Sequence, residues 1–156
     1  MESTVQTKQE FLEKLSEALS VKRKLVCHDK LEAFTRVYLT SIATHKTPEF
    51  HKEMLGLLSS LGVKKKSNQE NFPAENLKKR FLFIAPRGFA KSSICSVSFP
   101  LWMALTNLKK DIILVSATIW VAKEMLRKIR QELETNPFLI KDFGEQKSDK
   151  WTEDYL

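Results

Sequence analysis

The sequence predicts an α/β fold in which an incomplete parallel sheet follows an amino-terminal helical segment. Two short apolar runs, residues 81–85 and 111–116, have the length and composition of strands that are buried on both faces. Between them, apolar residues recur at three- and four-residue steps, which is the period of a helix packed on a sheet. A helix between two such strands indicates a parallel, right-handed crossover unit of the doubly wound kind.

Three amphipathic helices are expected before the first strand. The first covers residues 11–19, and the second carries an apolar stripe from Leu31 to Ile42. The third begins at Thr47-Pro48-Glu49, with proline at the first helical position, and ends at Gly62. We expect the apolar side chains of all three helices to lie in the core.

The rest of the chain divides at a lysine-rich stretch. Residues 63–79 are polar with almost no apolar periodicity, so we expect an exposed basic linker between a helical segment, 1–62, and a sheet domain, 80–156. A last helix follows the second strand. The hydroxyls of Ser116 and Thr118, at the end of that strand, are expected to cap this helix, with a position near the nucleotide or the DNA as the alternative. Asn136-Pro137 is expected to stop the helix.

Residues 86–93, between the first strand and its helix, have the composition of a deviant phosphate-binding loop. A helix start presents unpaired N–H groups and a partial positive charge to phosphate oxygens. The Lys91 ammonium can reach the terminal phosphates, and the Ser92 hydroxyl can ligate magnesium. The forked guanidinium of Arg87 adds a further donor. The predicted nucleotide-binding residues are Arg87, Gly88, Phe89, Ala90, Lys91, Ser92 and Ser93, with Ser92 as the predicted magnesium ligand.

The loop departs from the usual spacing, because Ala85 and Ala90 occupy its two glycine positions. An alanine held at an unusual backbone angle costs on the order of 1 kcal/mol, which weakens such a loop without forbidding it. An ordinary strand-to-helix turn with a solvated arginine and lysine is the alternative. Upstream, Phe50 and His51 are candidates to contact an adenine, although a phenylalanine on a helical stripe also suits a core.

Residues 81–93, FLFIAPRGFAKSS, resemble the Walker A segment of the large terminase subunits of tailed phages, which are ATP-driven DNA-packaging motors with a P-loop NTPase-like sheet. The likeness continues through 111–118, DIILVSAT, and 133–144, LETNPFLIKDFG. Residues 50–54 are similar to the segment before the ATPase core in that family, and Trp151 is similar to the tryptophan that enters its next strand.

The resemblance implies ATP and Mg²⁺ as cofactors and double-stranded DNA as a partner. It also implies a portal protein, a small terminase subunit and a homo-oligomeric ring, in the cytoplasm of a bacterial host that carries the phage or prophage. Residues 80–156 correspond to the first part of the P-loop ATPase domain, before the acidic Walker B strand, the catalytic glutamate and the nuclease domain. We therefore expect an amino-terminal fragment that binds nucleotide weakly without efficient turnover. The alternative is an inactive prophage remnant with at most weak polyanion binding.

Composition agrees with a polyanionic partner. Twenty-six basic against nineteen acidic residues give a net charge of +7 and a pI near 9.4. The cations fall in groups at 22–24, 64–66 and 78–80, with a further row at Lys123, Arg127 and Arg130. Only two cysteines occur, without metal-ligand spacing, which fits a reducing compartment. The polar residues 1–10 indicate no secretion signal, and the apolar runs are too short to predict a membrane span.

Overall fold

The computed structural model describes residues 2–43, 46–62, 80–106, 108 and 111–146, and gives residues 2–7 and Gly62 as backbone only. These residues form helices joined by irregular segments. The helices are α1 (Glu2–His28), α2 (Leu31–Tyr38), α3 (Glu49–Gly62), α4 (Lys91–Ser93), a π-helix (Ile94–Ser98), α5 (Phe99–Leu105), α6 (Ile119–Thr135) and α7 (Pro137–Phe143). The predicted linker 63–79 and Trp151 lie outside the described residues, and the division into three parts stays a prediction.

The predicted α/β fold is wrong, because the described part of the chain contains helices and no strand or sheet. Residues 81–85 and 111–116, predicted to be parallel strands, have no regular secondary structure. Both therefore lack the ladder of hydrogen bonds that defines a sheet.

Exposure explains why the strand prediction failed. Phe83 and Leu114 pack against the core, whereas the side chains on either side of each are 84–88% exposed: Leu82, Ile84, Ile113 and Val115. Alternation of this kind is the pattern of an extended chain with one face on a core. A continuous apolar run predicts burial on both faces, and here only one face is covered.

The core lies between helices. Its largest fully buried side chains are Trp102, Tyr38 and Phe34. The indole Nε1 of Trp102 donates to the carbonyl oxygen of Cys27 at 2.9 Å, which fixes α5 against the end of α1. The apolar stripes predicted for the second and third helices and for the helix after the loop are confirmed for the following side chains, which are buried: Leu31, Phe34, Tyr38, Met54, Leu58, Ile94, Val97 and Leu101.

Residues 91–105 form one continuous helical run that changes type around a proline. Pro100 has no N–H, and its ring would crowd the carbonyl four residues earlier in a regular α-helix. The π-helix Ile94–Ser98 comes directly before it, and the Phe99 N–H donates to the carbonyl of Ile94, five residues back. The helical run therefore continues through Pro100, and its first turn, Lys91–Ser93, forms the end of the candidate loop.

The expected helix over residues 11–19 proves to be part of a much longer one. Helix α1 has 27 residues, and its packed side carries the half-buried Ser16, Ser20 and Arg23 and the buried Cys27. The predicted core stripe of this helix is exposed instead, so that part of the prediction is wrong.

Candidate phosphate-binding loop

Two residues of the loop have a positive φ angle. Gly88 has φ 83°, and Ala90, directly before helix α4, has φ 50° and ψ 18° in the left-handed region. Alanine seldom adopts this conformation, because its Cβ approaches the following carbonyl oxygen. The expectation that Ala90 occupies a position suited to glycine is therefore confirmed.

Lys91 folds back over the loop that precedes it. Its Nζ donates to the carbonyl oxygen of Pro86 at 2.6 Å and to that of Ala85 in a very short contact. The half-buried Lys91 side chain is thus folded back on its own loop and not extended into solvent.

The helix that starts at Lys91 lacks the side-chain cap that later helices have. Thr118 accepts a hydrogen bond from the Val121 N–H at the start of α6, and the Asn136 side chain accepts from two N–H groups at the start of α7. Ala90 stands at the same position before α4 and has no side-chain acceptor. Since the first N–H groups of a helix have no acceptor within the helix, those after Ala90 are left for an acceptor from outside.

Two residues upstream of the loop contact it directly. The rings of Phe50 and Phe89 have centroids 5.2 Å apart, and His51 Nε2 donates to the carbonyl oxygen of Phe89 at 3.0 Å. Helix α3, which carries Phe50 and His51, therefore supports the outer part of the loop. The structure brings these predicted residues to the site from 35 or more positions away in the sequence. Their contact with an adenine stays a prediction.

A cavity of about 310 Å³ lies beside the loop. Gly88, Ala90 and His51 form part of its wall, together with residues of helix α2. One of these, Arg36, bonds to Glu32 at 3.1 Å and to the Thr47 hydroxyl at 3.1 Å. The volume is at the lower end of those that hold small molecules. Sequence reasoning missed Arg36 and Thr47, since nothing in their spacing relates them to residues 86–93.

The remaining predicted site residues lie at the surface of the loop. Arg87 and Ser92 are exposed, and Ser93 is half-buried. An exposed hydroxyl in the first helical turn is accessible to a hydrated cation, and an exposed guanidinium can turn toward a phosphate. The arrangement can therefore bind an anion by backbone N–H groups, one ammonium and one guanidinium.

The cations predicted to face a polyanion are partly engaged within the protein. Arg23 forms a two-point ion pair with Asp142, and Arg127 pairs with Glu124 at 2.8 Å. The groups at 64–66 and 78–79 lie outside the described residues. A DNA-binding surface stays a prediction.

Comparisons with models of protein families, with curated proteins and with solved structures find no match to this chain. The described helices include none that is both long enough and apolar enough to cross a membrane. The terminase resemblance thus depends on the quoted sequence segments alone.

Proposed function

We propose that the chain binds ATP with magnesium through residues 86–93. The observation that carries the proposal is the left-handed Ala90, which starts a helix without a side-chain cap while Lys91 folds over the loop. This combination leaves the first N–H groups of the helix without a side-chain acceptor and keeps an ammonium on the turn that precedes them. Two carbonyl oxygens hold the ammonium there.

Binding would proceed by exchange of hydrogen-bond partners. The Lys91 ammonium leaves the carbonyl oxygens of Ala85 and Pro86 and donates to phosphate oxygens, which accept stronger, charge-assisted bonds. The first N–H groups of the helix take further phosphate oxygens. Arg87 adds a second positive charge, and the Ser92 hydroxyl supplies one magnesium ligand. Phe50 and His51 support the loop, and His51 also lines the adjacent cavity in which the nucleoside would lie.

We further propose that this binding serves a DNA-packaging motor of the large terminase kind in the cytoplasm of a bacterial host. Double-stranded DNA, a portal protein and a small terminase subunit are the partners that the resemblance implies. The resemblance of residues 81–93, 111–118 and 133–144 supports the proposal. In such a motor, ATP is bound first and hydrolysed afterwards, and positive groups and magnesium neutralise the charge of its phosphates.

One observation favours the alternative of an inactive remnant. The apolar residues 81–85 and 111–116 lie half exposed at the place where a motor ATPase buries its sheet. A remnant of this kind would bind ATP no more tightly than it binds other polyanions.

The deciding experiment is a titration of the protein with a fluorescent ATP analogue, with and without Mg²⁺. We expect Lys91→Ala to weaken binding by about 10- to 100-fold, the usual cost of removing hydrogen bonds to a charged group. Lys141→Ala is the matched control, because Lys141 is an exposed lysine on α7. It should leave the affinity unchanged.

Equal affinities of the Lys91→Ala variant and the unaltered protein would show that residues 86–93 do not form a nucleotide site. Equal displacement of the analogue by ATP and by inorganic polyphosphate of similar charge would favour the remnant. The control variant separates a specific effect from a simple loss of positive charge.

A further inference from the structure

Helix α1 carries an apolar stripe that the described part of the protein leaves uncovered. The side chains of this stripe are between 46% and 71% exposed: Phe11, Leu12, Leu15, Leu19, Leu25 and Val26. Ala18 lies between them and is also exposed. Each of residues 8–15 is exposed, so this half of the helix has no packing partner among the described residues.

The stripe lies beside the packed side of α1. With 100° per residue, Ser16, Ser20, Arg23 and Cys27 fall on one narrow face, which contacts the rest of the protein. The apolar stripe occupies the neighbouring arc. Leu12, Leu19 and Val26 follow each other at seven-residue intervals, and Leu15 comes three residues after Leu12. This is the spacing by which one helix pairs with another along a seam.

The pattern of the stripe is nearly symmetric about its middle. A two-fold axis between residues 18 and 19 would place Phe11 opposite Val26 of a second copy, and would place Leu12 and Leu25 at the same height on the two edges of the seam. Ala18 and Leu19 would meet at the centre. Only Leu15 would face a charged residue, Lys22, whose aliphatic stem can still cover it. Such self-complementarity is what a closed dimer requires.

Charge also favours a second copy in the antiparallel direction. Residues 8–17 contain three glutamates and two lysines, whereas residues 18–28 contain three cations and no carboxylate. An antiparallel pair sets the acidic half of one helix beside the basic half of the other, and opposes the helix dipoles favourably. Arg23 is already paired with Asp142, so Lys22 and Lys24 provide most of the remaining positive charge.

We propose that two copies of this chain associate through the α1 stripe as an antiparallel helix pair. Sedimentation of the protein across the micromolar range should give twice the monomer mass. Leu12→Glu and Leu19→Glu should give the monomer mass, because each places a carboxylate in the apolar seam. Leu57→Glu is the matched control: Leu57 is an exposed leucine on a different helix, α3, and its change should leave the dimer intact.

Cysteine cross-linking tests the direction of the pair. A mixture of Phe11→Cys and Val26→Cys proteins should form a disulfide-linked heterodimer on mild oxidation, since these positions oppose each other across the axis. Circular dichroism checks that the variants keep their helices. A monomer at every concentration, cross-linking of Phe11→Cys with itself, or equal dissociation by Leu57→Glu would each overturn the proposal. In the first case the stripe would serve a different partner.

Discussion

At the scale of single residues, the most consequential group is a buried trio that joins three helices. Asp142 of α7 accepts from Arg23 Nε at 2.7 Å and from Arg23 Nη2 at 2.5 Å, and from the Tyr38 hydroxyl at 2.8 Å. Its side chain is fully buried. A carboxylate that follows no apolar strand is expected in a solvated loop, and Asp142 is buried instead. No local pattern relates Arg23 to a carboxylate 119 positions later.

The trio predicts a loss of stability in acid. Burial alone would raise the pKa of Asp142, but the hydrogen bonds from Arg23 and Tyr38 outweigh burial and lower the pKa to about 2. A carboxylate whose pKa is depressed on folding contributes its full stability above its unfolded pKa, near 3.8. This contribution, about 2 kcal/mol, should be lost as the pH falls from about 4 to about 2.

Urea unfolding at a series of pH values measures this effect. The Asp142→Asn variant is the control, because an amide cannot titrate in this range. Its free energy of unfolding should be lower at neutral pH, and the part of the pH dependence that belongs to Asp142 should be absent. An unchanged slope between pH 4 and pH 2 in the variant would contradict the assignment.

At the scale of elements, the sequence predicts both ends of α3 and of α6. Thr118 and Asn136 cap the helices that follow them, as residues of these types usually do. The prediction that Thr118 caps α6 is confirmed, and so is the stop at Asn136-Pro137. Helix α7 was missed, although asparagine followed by proline also marks a helix start. A short helix gives too few turns for its apolar period to be recognised.

Replacing glycine by alanine should have opposite effects on the free energy of unfolding in α3 and in the loop. Gly56→Ala should raise the free energy of unfolding by about 0.5–1 kcal/mol, because Gly56 is in the interior of a helix with open space around its Cα. Gly88→Ala should lower it by about 1 kcal/mol, since its φ of 83° strains an L side chain even without a clash. Urea unfolding followed by circular dichroism measures both. A change of the same sign in the two variants would refute the backbone argument.

The face of α1 that is buried could not be predicted from the sequence. Its apolar residues have helical spacing over residues 11–26, but spacing shows only that they share a face and not which surface covers it. The buried side of α1 consists instead of two serines, an arginine and a cysteine. These residues pack because α2 and α7 lie against them, which is information from the tertiary structure.

At the scale of the whole molecule, the same limit explains the error in fold class. Residues 81–85 and 111–116 were predicted to pair in a sheet because they are short and continuously apolar. Pairing also requires a neighbouring strand in register, and a run of apolar residues carries no signal for that neighbour. The interpretation of residues 86–93 assumed a strand before the turn and a helix after it, and of these the structure has only the helix. The unusual backbone of Ala90 could be predicted from the turn itself, whereas the contact of Lys91 with phosphate stays a prediction.

The exposed apolar segments predict that charged substitutions within them change the free energy of unfolding very little. Ile113→Lys and Val115→Lys together should change the free energy of unfolding by less than about 0.5 kcal/mol, because both side chains are more than four-fifths exposed. The double variant should also bind less of a hydrophobic dye, since it removes apolar surface. Leu101→Ala, at a fully buried position of α5, should cost about 2–5 kcal/mol in the same unfolding experiment. A loss of several kcal/mol in the double variant would mean that these side chains are covered in the native protein.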